Sequence, residues 1–257
     1  MTRRTITRRH FDVPPHYEVP WHEWLGWGVR DAHFDRCSFS GSLAHRPSLS
    51  HASLAHRPTI ENVHLTRCSA EDRVGLQGFV LIDVLIDSVK SPRLQFTACA
   101  MRHVTFAGIL PLLWIVPPGP GGSGHEHLAT NADFDAHTDW SIDLSGVRLR
   151  DAHIRGADPS RYVLDPTRQA FVTRETLAPA ADELRALAAE PGRSLARGIL
   201  GDVIASGTLS GPTFVFNTHG SKQDDADREV FEFLHANGLV VPSLTRADIG
   251  WDGAVTD

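Results

Sequence analysis

Histidine and aspartate carry most of the chemistry this chain could do, and they crowd one stretch. Gly124-His125-Glu126-His127 is followed by Asp133, Asp135, His137 and Asp139. A His-x-His pair on a strand puts both imidazoles on one side. His125 and His127 are therefore the candidate metal ligands, with His137 or a carboxylate to complete the set. The competing reading is a mobile polar loop, since both leave a glycine-rich segment. Asp139 and Asp143 flank Trp140. Two carboxylates beside an aromatic ring can hold a sugar or serve as acid and base, which makes Asp139, His137 and Asp143 the candidate catalytic residues. The plainer alternative is that an aspartate at a backbone corner accepts turn hydrogen bonds. Asn217-Thr218-His219-Gly220 reads either as a site loop or as a strand-to-helix connection. There is no Walker loop, no G-x-S-x-G and no H-E-x-x-H.

The elements that position these groups follow from a repeat of five. Every fifth residue from Val74 is apolar: Val74, Phe79, Val84, Val89, Leu94, Cys99, Val104 and Ile109. With 41% apolar residues overall, eight hits in eight arise by chance roughly once in a thousand. Two residues later a second track holds Leu76, Leu81, Ile86, Phe96, Met101 and Phe106. Upstream, Ala32, Cys37, Ser42, Pro47 and Ala52 form the small track and Phe34, Phe39, Ala44, Leu49 and Leu54 the larger one. Pro58/Ile60, Val63/Leu65 and Cys68/Ala70 follow after a one-residue slip. Ile142/Leu144, Val147/Leu149, Ala152/Ile154 and Ala157/Pro159 resume the pattern downstream. A helix cannot use this period, because successive hits would precess by about 140°. A flat strand cannot either, because odd spacing alternates faces. A chain that turns a corner every five residues can, with two apolar side chains pointing inward from each side and backbone groups paired between successive coils.

Ala32-His33-Phe34, Cys37-Ser38-Phe39, Ala52-Ser53-Leu54 and Ala152-His153-Ile154 carry a small residue, a polar residue and then a large apolar one. On these units the chain resembles the pentapeptide-repeat proteins, over roughly residues 31 to 160. The resemblance implies a mainly β fold, a right-handed quadrilateral β-helix. The repeat is degenerate, with slips and an insertion near 117–130. A second likeness, through Asp139-Trp140-Ser141-Ile142-Asp143 ahead of a helical tail, is to bacterial β-helix proteins with a DW-x-x-D motif. It implies the domain order and no activity.

Three regions result: a Trp/Pro-rich N-terminal cap at 1–30, with Trp21, Trp24 and Trp27 as a lid over an open end; the β-helix at 31–165; and a small α-rich C-terminal domain at 173–257. In the last, Glu175 to Glu190 reads as helix, Ser194 as the cap of a second helix, and Thr213 to Asn217 as a strand. Val230, Phe231 and Leu234 are the buried face of a third helix closed by Asn237-Gly238. Cys37, Cys68 and Cys99 sit on the small track, 31 residues apart. A regular four-sided coil would set Cys68 opposite the other two; a 31-residue coil would stack all three. Either way they are core filler. Val80 and Leu85 fall in outward slots, where an apolar patch needs a cover from the C-terminal domain or a partner. His33, His64 and His153 occupy outward polar slots in similar settings (Asp31-Ala-His-Phe, Asn62-Val-His-Leu, Asp151-Ala-His-Ile), expected as solvated surface groups.

Charge and cysteine content narrow the function classes. The net charge is −6, which gives no basic footprint for direct nucleic-acid binding and no membrane anchor. Three cysteines without a CxxC pair fit a reducing cytoplasm. No apolar stretch reaches membrane length. Some pentapeptide-repeat proteins imitate duplex DNA, but residues 31 to 160 hold 14 acidic and 11 basic residues, too even a balance for that. The expectation is a binding protein acting through protein–protein contact (immunity, resistance or regulatory scaffolding), with a homodimer through the rod end compatible. No cofactor is expected unless the histidines hold metal. The alternative is a tailoring enzyme on a peptide or small molecule, using His and Asp in a groove by the insertion.

Overall fold

The computed structural model describes residues 4–7, 10–12, 28–40, 57, 59–70, 74–116, 131, 133–205, 211–217 and 224–250. The chain is mainly β with helices toward the C-terminus, and it forms two compact units, Met1–His153 and Ile154–Asp257.

In the first unit the chain repeatedly pairs with itself in parallel. Strands β1 (Arg4–Thr7), β3 (Gly28–Asp35), β5 (Thr59–Thr66), β8 (Val80–Asp87), β10 (Ala100–Val116) and β11 (Ile142–Ile154) are successive neighbours in one sheet. Ala32 pairs with Val63, Val63 with Val84, and Val84 with Val104. These offsets shorten from 31 to 21 to 20 residues. The short strands β7 (Val74–Gln77) and β9 (Leu94–Thr97) pair in parallel, and β9 pairs onward with the Leu113–Val116 end of β10. A separate parallel sheet joins β2 (His10–Asp12), β4 (Ser38–Ser40) and β6 (Ser69–Ala70). Thus part of the expected N-terminal cap contributes paired strands. Trp21, Trp24 and Trp27 lie outside the described residues.

The period of five has a backbone counterpart. Non-glycine residues with left-handed φ occur at Asp31, Arg36, Asn62, Arg67, Asp83, Ser88, Ala98 and His103, joined by Gly78 and Gly108. Within each run they are five apart, and each immediately precedes a small-track residue. Left-handed φ is costly for most L-residues and least so for Asn, Asp, His and Gly. That preference explains Asp31, Asn62, Asp83 and His103 as one in-register set. Between these bends the tracks face the interior. Val63, Val84 and Val104 are buried, as are Ile86 and Phe106, and Phe96 packs edge-on against Phe106 at 5.5 Å. Each such side chain removed from water stabilises by about 1.5–3 kcal/mol.

Two expectations need correction here. The Val74 run does not hold its phase to Ile109: that side chain is 45% exposed and Leu110 is buried instead. Gly108 takes φ +66° at the bend, and Leu113 then pairs with Leu94 at an offset of 19. The pairing offset has shortened by one residue, so the buried set becomes Leu110, Leu113 and Ile115. The cysteines follow neither pattern. Ser69 N donates to Cys37 O and Lys90 N to Cys68 O, so Cys37 and Cys68 are neighbours in one column. The next pairing offset is ten residues shorter, which leaves Cys99 in a different column, beside Phe79, where Ala100 N donates to Phe79 O. Val80, placed outward by the repeat, is buried and Leu85 half-buried.

The second unit has an antiparallel pair, β12 (Gln169–Val172) with β13 (Thr213–Phe216), against helices α1 (Arg174–Leu177), α2 (Ala181–Ala189), α3 (Ser194–Ile199) and α4 (Asp224–Ala236). The expected first helix is broken by a 3-10 turn at Ala178–Ala180 containing Pro179, which cannot donate within a helix. Thr173 caps α1 through a reciprocal pair with Thr176. Ser194 begins α3 and is not its cap; Arg193 is the flanking residue. Helix α4 ends with Gly238 at φ +64° and Leu239 N donating to Leu234 O, a glycine-terminated stop. Val230, Phe231 and Leu234 pack with Leu184, Ile199 and Val203 in the core. Ser221 and Gly207 lie outside the described residues. Among the described residues no helix is long and apolar enough to cross a membrane.

Candidate functional site

The bend column on the first unit's main sheet is where titratable groups meet. Asp31, Asn62, Asp83 and His103 succeed one another on β3, β5, β8 and β10 because each occupies the left-handed position of its strand. Side chains of neighbouring strands in this column meet in two pairs. Asn62 Nδ2 donates to Asp31 Oδ1 at 2.5 Å. His103 Nδ1 lies 2.9 Å from Asp83 Oδ1, and its Nε2 lies 2.6 Å from Asp139 Oδ1. The imidazole ring also rests on Trp140, with centroids 4.7 Å apart. His103 N and Val104 N donate to Trp140 O and Ser141 O, so Asp139-Trp140-Ser141 is the next rung of the ladder.

An imidazole between two carboxylate oxygens is satisfied on both sides only when each nitrogen donates. The Asp139 carboxyl is held below its ordinary range, first by the His103 hydrogen bond and also by Trp140 N. Both carboxylates are more than half exposed, so the clasp is an exposed charge-assisted pair and is screened accordingly.

The three catalytic candidates are placed differently from one another. Asp139 takes part in the clasp, but its histidine is His103 and not His137. His137 is exposed, and its Nδ1 lies 2.8 Å from Asp133 O within the helical stretch 133–136. Asp143 is fully buried, and its Oδ1 accepts from Ser145 N at 2.8 Å and Ser145 Oγ at 2.5 Å, the turn geometry of the plainer reading. His125 and His127, the metal candidates, lie outside the described residues. Among the described residues no group of three or more His, Cys, Asp or Glu is arranged to hold a metal ion.

Sequence reasoning missed His103. The signal was available: it lies 20 residues after Asp83 and immediately before the inward Val104. It also missed Arg57, which is buried and donates through Nη1 to Asn131 Oδ1 at 2.6 Å. Asn131 Nδ2 donates in turn to Cys99 O at 3.1 Å. Burial holds the Arg57 guanidinium below its ordinary value. Phe134 lies under the Arg102 guanidinium at 5.8 Å. Asn131 and Phe134, just after the expected insertion, therefore lie against the 98–102 bend.

Two of the thiols, Cys68 and Cys99, are poor nucleophiles. Burial pushes Cys68 up to about 11 and Cys99 up to about 12, and a thiol that stays protonated at neutral pH does not attack.

Comparison of the chain with known protein families, curated proteins and solved structures finds no match.

Proposed function

We propose that this chain is a binding protein acting by protein–protein contact, with the first unit forming a right-handed, four-sided β-helix of the pentapeptide-repeat type. The left-handed bends every five residues and the parallel pairing of segments about twenty residues apart support that architecture. The observation that carries the functional reading is the outer surface of β3 and β5. Arg30 meets Glu61 at 2.9 Å, His33 meets His64, and Arg67 meets Asp35 at 2.7 Å. These are exposed or half-buried side chains of mixed sign, fixed in register on paired backbone. Recognition gains from a surface ordered before binding, because less freedom is lost on association.

The reading is tested by quantitative co-purification of the chain carrying Arg30→Glu and Arg67→Glu against the parent. The expected result is loss of one stoichiometric protein partner with an unchanged melting curve. Retention of every partner by the variant contradicts it. The second reading, a tailoring enzyme, is favoured by the His103–Asp139 pair beside Trp140, with His103 taking the place expected of His137. Turnover of a co-purifying small molecule that is abolished by His103→Asn would select it.

A further inference from the structure

Cysteine fills the same interior position on two neighbouring strands of the first unit. Ser38 and Ser69 are register partners, and the residues just before them are Cys37 and Cys68, with Ser69 N donating to Cys37 O. The backbone enters both in the same way, through Arg36 and Arg67, each at φ 53°. Both cysteines are 1% exposed, and both are thiols in this structure. Each thiol donates to the carbonyl two residues back, Cys37 Sγ to Asp35 O at 3.7 Å and Cys68 Sγ to Thr66 O at 3.5 Å. Cys68 Sγ also reaches across to the neighbouring strand, where Phe34 O lies at 3.3 Å. Burial pushes this thiol up to about 11, and the Cys37 thiol adds to the rise. Cys99 is the internal control. It repeats both contacts, to Thr97 O at 3.6 Å and to Leu76 O at 3.4 Å, but the matching position beside it holds Phe79. Beyond Cys68 the column continues with the buried Val89, since Lys90 N donates to Cys68 O.

We propose that Cys37 and Cys68 are a site of reversible disulfide modification, closing as a covalent link beside the β4–β6 pairing when the chain meets a small-molecule disulfide such as oxidised glutathione. In-register neighbours stand about 4.8 Å apart at the backbone, inside the roughly 4.4–6.8 Å between Cα atoms that a disulfide spans. The Cys37 thiolate attacks the glutathione disulfide, forming a mixed disulfide and releasing one glutathione thiolate. The Cys68 thiolate then attacks the Cys37 sulfur and releases the second. Two protein thiols are oxidised, one glutathione disulfide is reduced to two thiols, and the two protons pass to glutathione. While the strands are paired, Cys68 stays protonated, so exchange waits until they part. Strand β6 is two residues long, which makes that opening a local one. Burial then shields the finished bridge.

The two adjacent cysteine separations are equal, 31 residues each, so chain length alone does not favour Cys37–Cys68 over Cys68–Cys99. The test uses that equality. The full chain is held in a buffer of reduced and oxidised glutathione with urea just below the unfolding transition, quenched with acid, digested and mapped by mass spectrometry. The expected result is the Cys37–Cys68 bridge in at least about tenfold excess over Cys68–Cys99, because the fold raises the effective concentration of one pair alone. In the same buffer made fully denaturing, the two bridges should form in near-equal amounts. Parity below the transition, an excess of Cys68–Cys99, or retention of all three thiols overturns the proposal.

Discussion

The two units of this chain solve the problem of burying apolar surface in opposite ways. The first applies one local rule again and again: bend, small residue in, polar residue out, large residue in. Val84 is flanked by Val63 and Val104, and each has the same role. The second uses each pattern once. Phe231, Leu184 and Ile199 meet from three helices in a single cluster. The repetitive unit depends on phase, since a lost residue moves every following side chain. The helical unit depends on its few central residues.

The sharpest way to break the comparison is a charge in the repeated interior. Phe96→Asp places an unpaired carboxylate where Phe96 meets Phe106, and the cost of several kcal/mol is expected to abolish the cooperative melting of the first unit. A native melting curve means the interior has been misassigned. The phase slip gives a finer test. Leu110→Ala should cost about 2–5 kcal/mol, whereas Ile109→Ala at the exposed position should stay within about 0.5 kcal/mol, as read by denaturant midpoints. Reversed costs restore the uninterrupted five-residue track. Gly108→Ala comes next. A Cβ there would collide with Ser88 Oγ, at φ +66°, and a loss of roughly 1–3 kcal/mol is expected.

Much of this was legible in the sequence, because inward residues must be apolar and the bends impose their spacing directly. What stayed hidden depends on the offset between paired strands. The 31-residue cysteine spacing reads equally as a ladder or as opposite sides. It is neither, because β3 pairs with β5 at an offset of 31 residues and β5 with β8 at an offset of 21. The same offsets decide that His103 and not His137 meets Asp139, which local spacing around Trp140 cannot reveal. Asp143 looked available because it flanks Trp140 together with Asp139, yet it is buried and accepts from Ser145. In the second unit the apolar faces were plain, while Ser194 was misread as a cap because it stands one residue inside α3.

The smallest expected effect concerns the clasp. His103→Ala removes two exposed hydrogen bonds and the contact with Trp140, costing about 0.5–1.5 kcal/mol. The Asp139 carboxyl is depressed in the folded chain. Its stabilisation is therefore present above the unfolded carboxyl range and lost as pH falls through the folded value. The parent should lose its advantage over His103→Ala on acidification, as followed by melting temperature between neutral and acid pH. An advantage that persists after Asp139 is protonated assigns the stabilisation to packing on Trp140 instead.

The central claim is that the chain pairs in parallel with itself about every twenty residues, and interstrand proton–proton contacts measure this most directly. Nuclear Overhauser spectra of the full chain, labelled at valine, are predicted to connect backbone protons on either side of Val84 with those of both Val63 and Val104. Contacts from Val84 to residues three and four positions away, with none to Val63 or Val104, would contradict the account.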